Sequence, residues 1–319
     1  MTQAEQNPFL YSDTNKRYYT YDYYLRRQFG GKCAKLPLDA GFTCPNIDGK
    51  CGRGGCVYCS DRGSGDFAKA AALSIRDQIR AQKEVFARKW DVSRCIAYFQ
   101  AHTNTYAPLS TLKACFEEAL AQEGIVGLNL ATRADCLADD VVEYLAELAE
   151  RTTLTVELGL QSSNDETARI INRGHDFDAF CKGVDKLRRA SDRIGVGVHI
   201  IFGLPDEDDD RMMQTVRDVA ALHPDMVKIH LLHVLRNTVL ASWYESGKYV
   251  PLERERYIRL VADALELLPP DTVIGRLTGD GKAEDLLAPL WSQKKTTVIN
   301  DIDKLLFERN SCQGSKYQQ

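Results

Sequence analysis

No apolar run in these 319 residues approaches the length of a bilayer span, and the opening MTQAEQNPFLYSD lacks the hydrophobic segment of a secretory signal. A cytoplasmic protein without membrane attachment is therefore expected. Cytosolic thiols are kept reduced, so the ten cysteines are not expected to build a disulfide framework. Charge of one sign is also missing: 41 Lys and Arg against 45 Asp and Glu leave a net −4. No global basic field marks the surface for nucleic acid, although a local patch would be enough to hold RNA. There is no internal repeat and no low-complexity tract, which sets aside solenoid and linker-like architectures. What remains, 44% hydrophobic and 27% charged residues, is an ordinary globular composition. The chain is long enough to bury one large α/β core plus a small appendage.

Through the middle of the chain, short apolar stretches alternate with segments of helical period. Strands are expected at 36–42, 95–100, 127–132, 154–160, 195–202 and 226–231, each apolar as a parallel strand covered on both faces should be. In the helix expected at 139–150, an acidic first turn precedes a stripe of Val141, Leu145 and Leu148. Another helix, 207–222, lies between Pro205 and Pro224. Six β–α units in a row argue for a parallel barrel or a doubly wound sheet. A full eight-unit barrel would need two more strands. After Pro251 the pattern reads as helix 252–268, strand 272–277 and helix 286–308, an appended α/β subdomain. The basic, tyrosine-rich stretch KRYYTYDYYLRRQFGG (16–31) is expected to pack across the core. The expected organisation is an N-terminal segment 1–30, a core 31–245 and a C-terminal extension 246–319.

Four cysteines fall in one glycine-rich loop, Cys44-Pro-Asn-Ile-Asp-Gly-Lys-Cys51-Gly-Arg-Gly-Gly-Cys56-Val-Tyr-Cys59. Thiols so close together suit a metal centre. A zinc site wants four ligands, commonly two separated CxxC pairs; only Cys56 and Cys59 form one. An electron-carrying iron–sulfur cluster also wants four thiolates. A [4Fe–4S] cluster on three thiolates would leave one iron open to a small molecule. Position favours this last reading, because the loop follows the first strand, at the face where parallel barrels keep their chemistry. Free thiols without metal complete the alternatives. Cys95, Cys115, Cys136 and Cys181 sit in apolar or helical contexts and read as small core residues. Nothing is assigned to Cys33 and Cys312.

The Cys56-Val-Tyr-Cys59 segment resembles the end of the radical SAM signature CxxxCxΦC, with Tyr58 as the aromatic. The string GFTCPNIDGKCGRGGCVYC resembles the YhcC/YtqA-like branch of that superfamily, whose first gap is eleven residues. Further matches follow in order: YFQAHTNTYAP (98–108), ATRADC (131–136), VELGLQS (156–162), INRGH (171–175), IIFGLPDE (200–207), VKIHLLHVL (227–235), RLTGD (276–280) and LAPLWS (287–292). The branch is similar in its core to the Elongator catalytic subunit and to oxygen-independent coproporphyrinogen oxidase. This resemblance implies a partial (β/α)6 TIM-like barrel of α/β class with the small C-terminal extension. It implies Cys44, Cys56 and Cys59 as ligands of a [4Fe–4S] cluster, S-adenosylmethionine on the fourth iron, and an electron donor such as flavodoxin or ferredoxin. Reductive cleavage of S-adenosylmethionine would then give a 5′-deoxyadenosyl radical that abstracts hydrogen from substrate. Cys51 is a departure; as a ligand it would block the open iron, so it is read as a non-ligand. Ile47 stands where arginine is common.

Side chains alternate along a strand, so Glu157, Gly159 and Gln161 share a face suited to a polar ligand inside a barrel. The related oxidases carry a Gln and, twelve residues on, an Arg on the cofactor; Gln161 and Arg173 stand at that spacing. A cation at a helix C-terminus would read the same way for Arg173. Gln100 occupies the region that meets the cofactor's amino group in relatives, and Gly203-Leu-Pro205 resembles the loop beside the adenine. A plain turn also explains the glycine. His199 stands where relatives have Asp and is expected either near adenosine or as a packed core residue. Ala131 replaces a carboxylate, so that contact is absent, and Arg133 is open to another role. Lys228 and His230 share one face of their strand and are candidates for substrate contact. The resemblance extends to maturation of the wobble-uridine side chain of tRNA, with Lys16, Arg17, Arg26, Arg27, Lys294 and Lys295 as candidate phosphate contacts. The alternative of a different class is a zinc-stabilised, non-catalytic RNA-binding or adaptor protein.

Overall fold

The computed structural model describes residues 7–60, 63, 68, 71–279 and 283–318; Asp280, the end of the 276–280 motif, lies outside them. Its centre is an all-parallel sheet of seven strands in chain order, curled into a half-barrel. The strands are β1 (Ala34–Leu38), β2 (Cys95–Phe99), β3 (Ile125–Thr132), β4 (Thr153–Gln161), β5 (Ile194–Phe202), β6 (Met226–Leu231) and β8 (Val273–Arg276). Along β4 the period-two rule is plain: Leu154, Val156, Leu158 and Leu160 are buried toward the outer helices. Glu157, Gly159 and Gln161 face the concave side. The outer layer is α2 (Ile75–Phe86), α3 (Leu109–Leu120), α4 (Asp139–Arg151), α6 (Phe177–Ala190), α7 (Asp209–Ala221), α9 (Arg254–Leu267) and α10 (Lys295–Glu308).

Local chemistry sets the helix starts. Asp176 caps α6 by accepting the Ala179 N–H at 2.8 Å, and Asp208 caps α7 by accepting that of Arg211 at 2.9 Å. The short α5 (Asp165–Ile170) is capped by Asn164, which accepts two N–H groups.

Three expectations change. The first strand stops at Leu38 rather than 42, because Asp39 Oδ1 takes the Gly41 N–H in a local turn and Gly41 has φ +72°. The 272–277 strand belongs to the main sheet as its seventh member, paired with β6. The helix expected at 286–308 is broken. Leu286–Ala288 forms β9, antiparallel to β7 (Val234–Leu235), and Pro289 interrupts the chain before a 3₁₀ turn and α10.

The segment before the sheet closes its base. Tyr19 O accepts the Ile274 N–H at 2.7 Å at the β8 edge, and α1 (Tyr21–Phe29) then crosses to the β1 edge, where Ala34 N–H meets Arg94 O at 3.0 Å. Tyr21, on that helix, points upward into the half-barrel, accepting from Asn129 Nδ2 at 3.3 Å.

Candidate functional site

At the C-terminal ends of the strands the half-barrel opens into a cavity of about 290 Å³. The cysteine loop forms one wall. Its turn at Cys44 accepts the N–H groups of Ile47 (2.8 Å) and Asp48 (3.2 Å), and Gly54 and Gly55 take φ of +79° and +73° so that it can reverse. Val57 ties it down on both sides, donating to Ile171 O at 3.1 Å and accepting from Leu240 N–H at 2.8 Å. Cys44, Cys56 and Cys59 line the cavity. Cys51 is exposed and turned to Asp135, its Sγ 3.9 Å from Oδ2. The hydrogen bond from Cys59 draws the Cys56 thiol down to about 5 against the cost of burial, with Arg173 adding to the effect. As donor in that bond, and buried, Cys59 is pushed well up.

Opposite the thiols stands the glutamine–arginine pair. A Cβ on Gly159 would sit 2.7 Å from Gln161 Nε2 and 3.0 Å from Arg173 Nη2, so a larger residue would displace these side-chain ends. The strand bulges between Gly159 and Gln161, and Gln161 has φ +77°. A non-glycine residue in that region is strained and is found where function requires a special side-chain direction. Arg173 donates to Gly159 O, while its buried Nε has no hydrogen-bond partner. Arg133 braces this arm: it forks onto Asp135 at 2.9 and 2.8 Å and donates to Arg173 O at 2.8 Å.

The floor is polar. Glu157 is fully buried; Oε1 accepts from Lys35 (2.8 Å) and Asn129 (2.7 Å), Oε2 from His199 (2.8 Å) and Lys228. Burial alone would raise its carboxyl, but the Lys228 and Lys35 ammonium groups and His199 outweigh that and hold it well below the usual range. Burial draws the Lys228 ammonium below its ordinary value, and the Glu157 carboxylate acts against that. His199 is likewise lowered to about 4 by burial, with the Lys228 charge adding to the effect.

Of the residues expected at the site, Gln100, Gln161, Arg173 and His199 line the cavity, as do Lys228 and His230. Glu157 lines it too, with both oxygens already shared among protein donors. Gly203 is not among the lining residues. It has φ +86°, its O accepts from Tyr249 Oη at 2.7 Å, and a Cβ would stand 3.0 Å from Leu252 Cγ, so packing explains the glycine. Of the six phosphate candidates, Lys294 is exposed and Lys295 half-buried. Arg17 is buried, bonded to Asn310 Oδ1 and Ser311 O at 3.3 Å each, with Phe307 beneath it. Lys16 pairs with Asp303, and Arg26 with Asp13 and Asp22. Arg26 and the exposed Arg27 lie on α1, at the base of the sheet and away from the cavity mouth.

Asn46, Tyr98 and His102 were not singled out from the sequence. Asn46 Nδ2 reaches Asn172 O and, at 3.7 Å, Cys56 Sγ; its place two residues after Cys44 was the available signal. Tyr98 and His102 line the cavity, His102 with φ +55°.

Among the described residues no three His, Cys, Asp or Glu side chains converge on one point as a single metal ion requires. Three thiols spread along one wall, facing an arginine with a bare Nε, instead fit an anionic cluster whose ligands bind separate irons. Residues 47–219 match the model of the radical SAM superfamily, and residues 224–308 that of the Radical_SAM C-terminal domain. The chain belongs to the radical SAM superfamily. It is 49% identical over 314 residues to the YtqA protein of Bacillus subtilis, covering 98% of this chain and 97% of that one. More distantly, a tRNA uridine(34) acetyltransferase of Dehalococcoides mccartyi is 29% identical over 193 residues, 60% of this chain and 40% of that enzyme. The fold is similar to that of the archaeal Elp3 of Methanocaldococcus infernus, with TM-score 0.67 and 19% identity over 88% of this chain and 64% of that one. No helix among the described residues is long and apolar enough to cross a membrane.

Proposed function

We propose that this chain is a radical SAM enzyme holding a [4Fe–4S] cluster on Cys44, Cys56 and Cys59. S-adenosylmethionine binds beside it, against Gln100, Gln161, Arg173 and His199. One observation carries this reading: three thiols and the glutamine–arginine pair meet in a single cavity at the C-terminal ends of parallel strands. Bound there, the cluster and S-adenosylmethionine supply one-electron sulfonium cleavage and a carbon radical able to take hydrogen from substrate. The protein does the rest. Arg173 sets a cation opposite the thiolates, Gly159 keeps the ligand's space open, and the closed base limits quenching of a reactive intermediate. A flavodoxin or ferredoxin supplies the electron, and the protein works in the cytoplasm.

The substrate is the wobble-uridine side chain of tRNA, converted from 5-carboxymethylaminomethyluridine toward the 5-aminomethyl and 5-methylaminomethyl forms. The similarity to an enzyme named for tRNA uridine(34) supports this. Anaerobic reconstitution is expected to give a brown protein with about four irons per chain. With dithionite and S-adenosylmethionine it should release 5′-deoxyadenosine. Alanine at Cys44, Cys56 or Cys59 should abolish that release, whereas Cys51→Ala should retain it. A colourless protein with stoichiometric zinc would overturn the reading in favour of a non-catalytic RNA-binding or adaptor role.

A further inference from the structure

The cysteine loop brings a further polar side chain against its thiols. Asn46 follows Cys44 by two positions and is fully buried. Its Nδ2 carries two hydrogens, and two acceptors meet it: Asn172 O, and Cys56 Sγ at 3.7 Å. These acceptors fix the direction of the amide, because the reverse setting would turn Oδ1 onto a carbonyl oxygen and a sulfur. Oδ1 itself is buried with no hydrogen-bond partner. A Cβ on Gly52 would overlap Oδ1, and one on Gly174 would stand 3.1 Å from it, so two glycines make room for this amide. An unpaired buried carbonyl costs free energy, so a site that tolerates one retains the amide for what its nitrogen does. Asn172 holds the loop by separate bonds, its Nδ2 donating to Gly55 O at 2.7 Å and to Arg53 O at 3.2 Å.

We propose that Asn46 is a positioning residue for the cluster, its Nδ2–H donating to the Cys56 thiolate and thereby raising the cluster's reduction potential. The role rests on the cluster ligation proposed above and adds to it a residue that is not a ligand. Hydrogen bonds to the sulfurs are among the factors that set the potential of an iron–sulfur cluster. The step concerned is the one-electron reduction of the cluster by flavodoxin, ferredoxin or dithionite, in which no bond is made or broken. The added electron increases the negative charge shared by the thiolates, so an N–H aimed at one of them binds the reduced form more strongly. Of the three thiols Cys56 is the buried one, so water screens its hydrogen bond least.

The test is an anaerobic redox titration of the reconstituted protein without S-adenosylmethionine, read by the electron paramagnetic resonance signal of the reduced cluster. Asn46→Ala should lower the ratio of reduced to oxidised cluster at a fixed poise about tenfold, a shift of ~59 mV for one electron. Asn46→Asp has the same shape but no N–H and carries a charge, so it should shift the potential the same way and further. Asn172→Gly removes the loop clamp while leaving the bond between Asn46 and Cys56, and glycine adopts the φ of +54° there freely. It should keep the wild-type potential. An unchanged potential in Asn46→Ala would overturn the role. So would an equal shift in Asn172→Gly, which would trace the effect to the shape of the loop. Loss of the cluster from both Asn46 variants would make the residue a support for the loop and overturn the role too. Wild-type protein that takes up no four-iron cluster would overturn the enzyme and this role together. A wild-type cluster whose potential the Asn46 variants leave unmoved would overturn this role alone.

Discussion

Glu157 shows how much one buried side chain organises. Replacing it with Gln keeps the shape but leaves Lys228 and Lys35 without their counter-charge. Breaking a buried pair costs about 3–5 kcal/mol, so Glu157→Gln should lower the unfolding free energy by that order in urea titrations. His199 beside it carries a pH signature. Its ordinary value is 6.5 and burial holds it at about 4. Between those values the unfolded chain binds the proton and the folded one does not, so stability is full above 6.5 and is lost as pH falls toward 4. The urea midpoint should fall between pH 7 and pH 5, and fall less in His199→Gln; an unchanged slope would remove His199 from the account. The cysteines and the Gln161–Arg173 spacing could be read in the chain because each is a local pattern. Asn46 carried only its place two residues after Cys44, because its partner Asn172 lies 126 positions away.

The same contrast holds for strands and helices. Strong periodicity located β2 to β6 within a few residues, since alternation and apolar runs are properties of the segment itself. Where a strand ends, or which sheet it joins, depends on partners elsewhere. This is why 272–277 read as part of an appendage. Close approach between elements was equally invisible. A Cβ on Gly183 of α6 would lie 2.7 Å from both Cβ and O of Ala134, in the turn that follows Arg133. Gly183→Ala should therefore push α6 outward and destabilise by about 1–3 kcal/mol, as overpacking does. Differential scanning calorimetry would read the loss. Gly159→Ala acts at the site instead: it should weaken S-adenosylmethionine binding in the reconstituted protein while leaving thermal stability nearly unchanged.

Across the whole chain, the two ends of the half-barrel do different work. The base is sealed by the N-terminal segment, which the C-terminal tail clamps. Gln313, buried, accepts the Tyr19 N–H at 2.9 Å and donates to Pro269 O (2.6 Å) and Thr272 O (2.7 Å). Removing residues 309–318 should loosen α1, and limited proteolysis should then cut between 7 and 31 faster than in the full chain. The open end faces solvent through the cysteine loop. On the proposed tRNA reading the substrate enters there, so Arg27→Glu at the base should leave tRNA affinity unchanged in filter binding.

Residue order alone determined that this chain builds a parallel β/α core, carries its reactive thiols on the first loop and follows a radical SAM pattern. Those are consequences of local periodicity and of motif spacing. Only tertiary structure decided that the last strand completes the sheet, that Gly203 serves packing and that Arg17 is buried. It also decided that Lys35, Asn129, His199 and Lys228 share one buried carboxylate on the cavity floor. Each of these depends on groups brought together from distant positions, where burial and charge are set by neighbours that the linear order does not reveal.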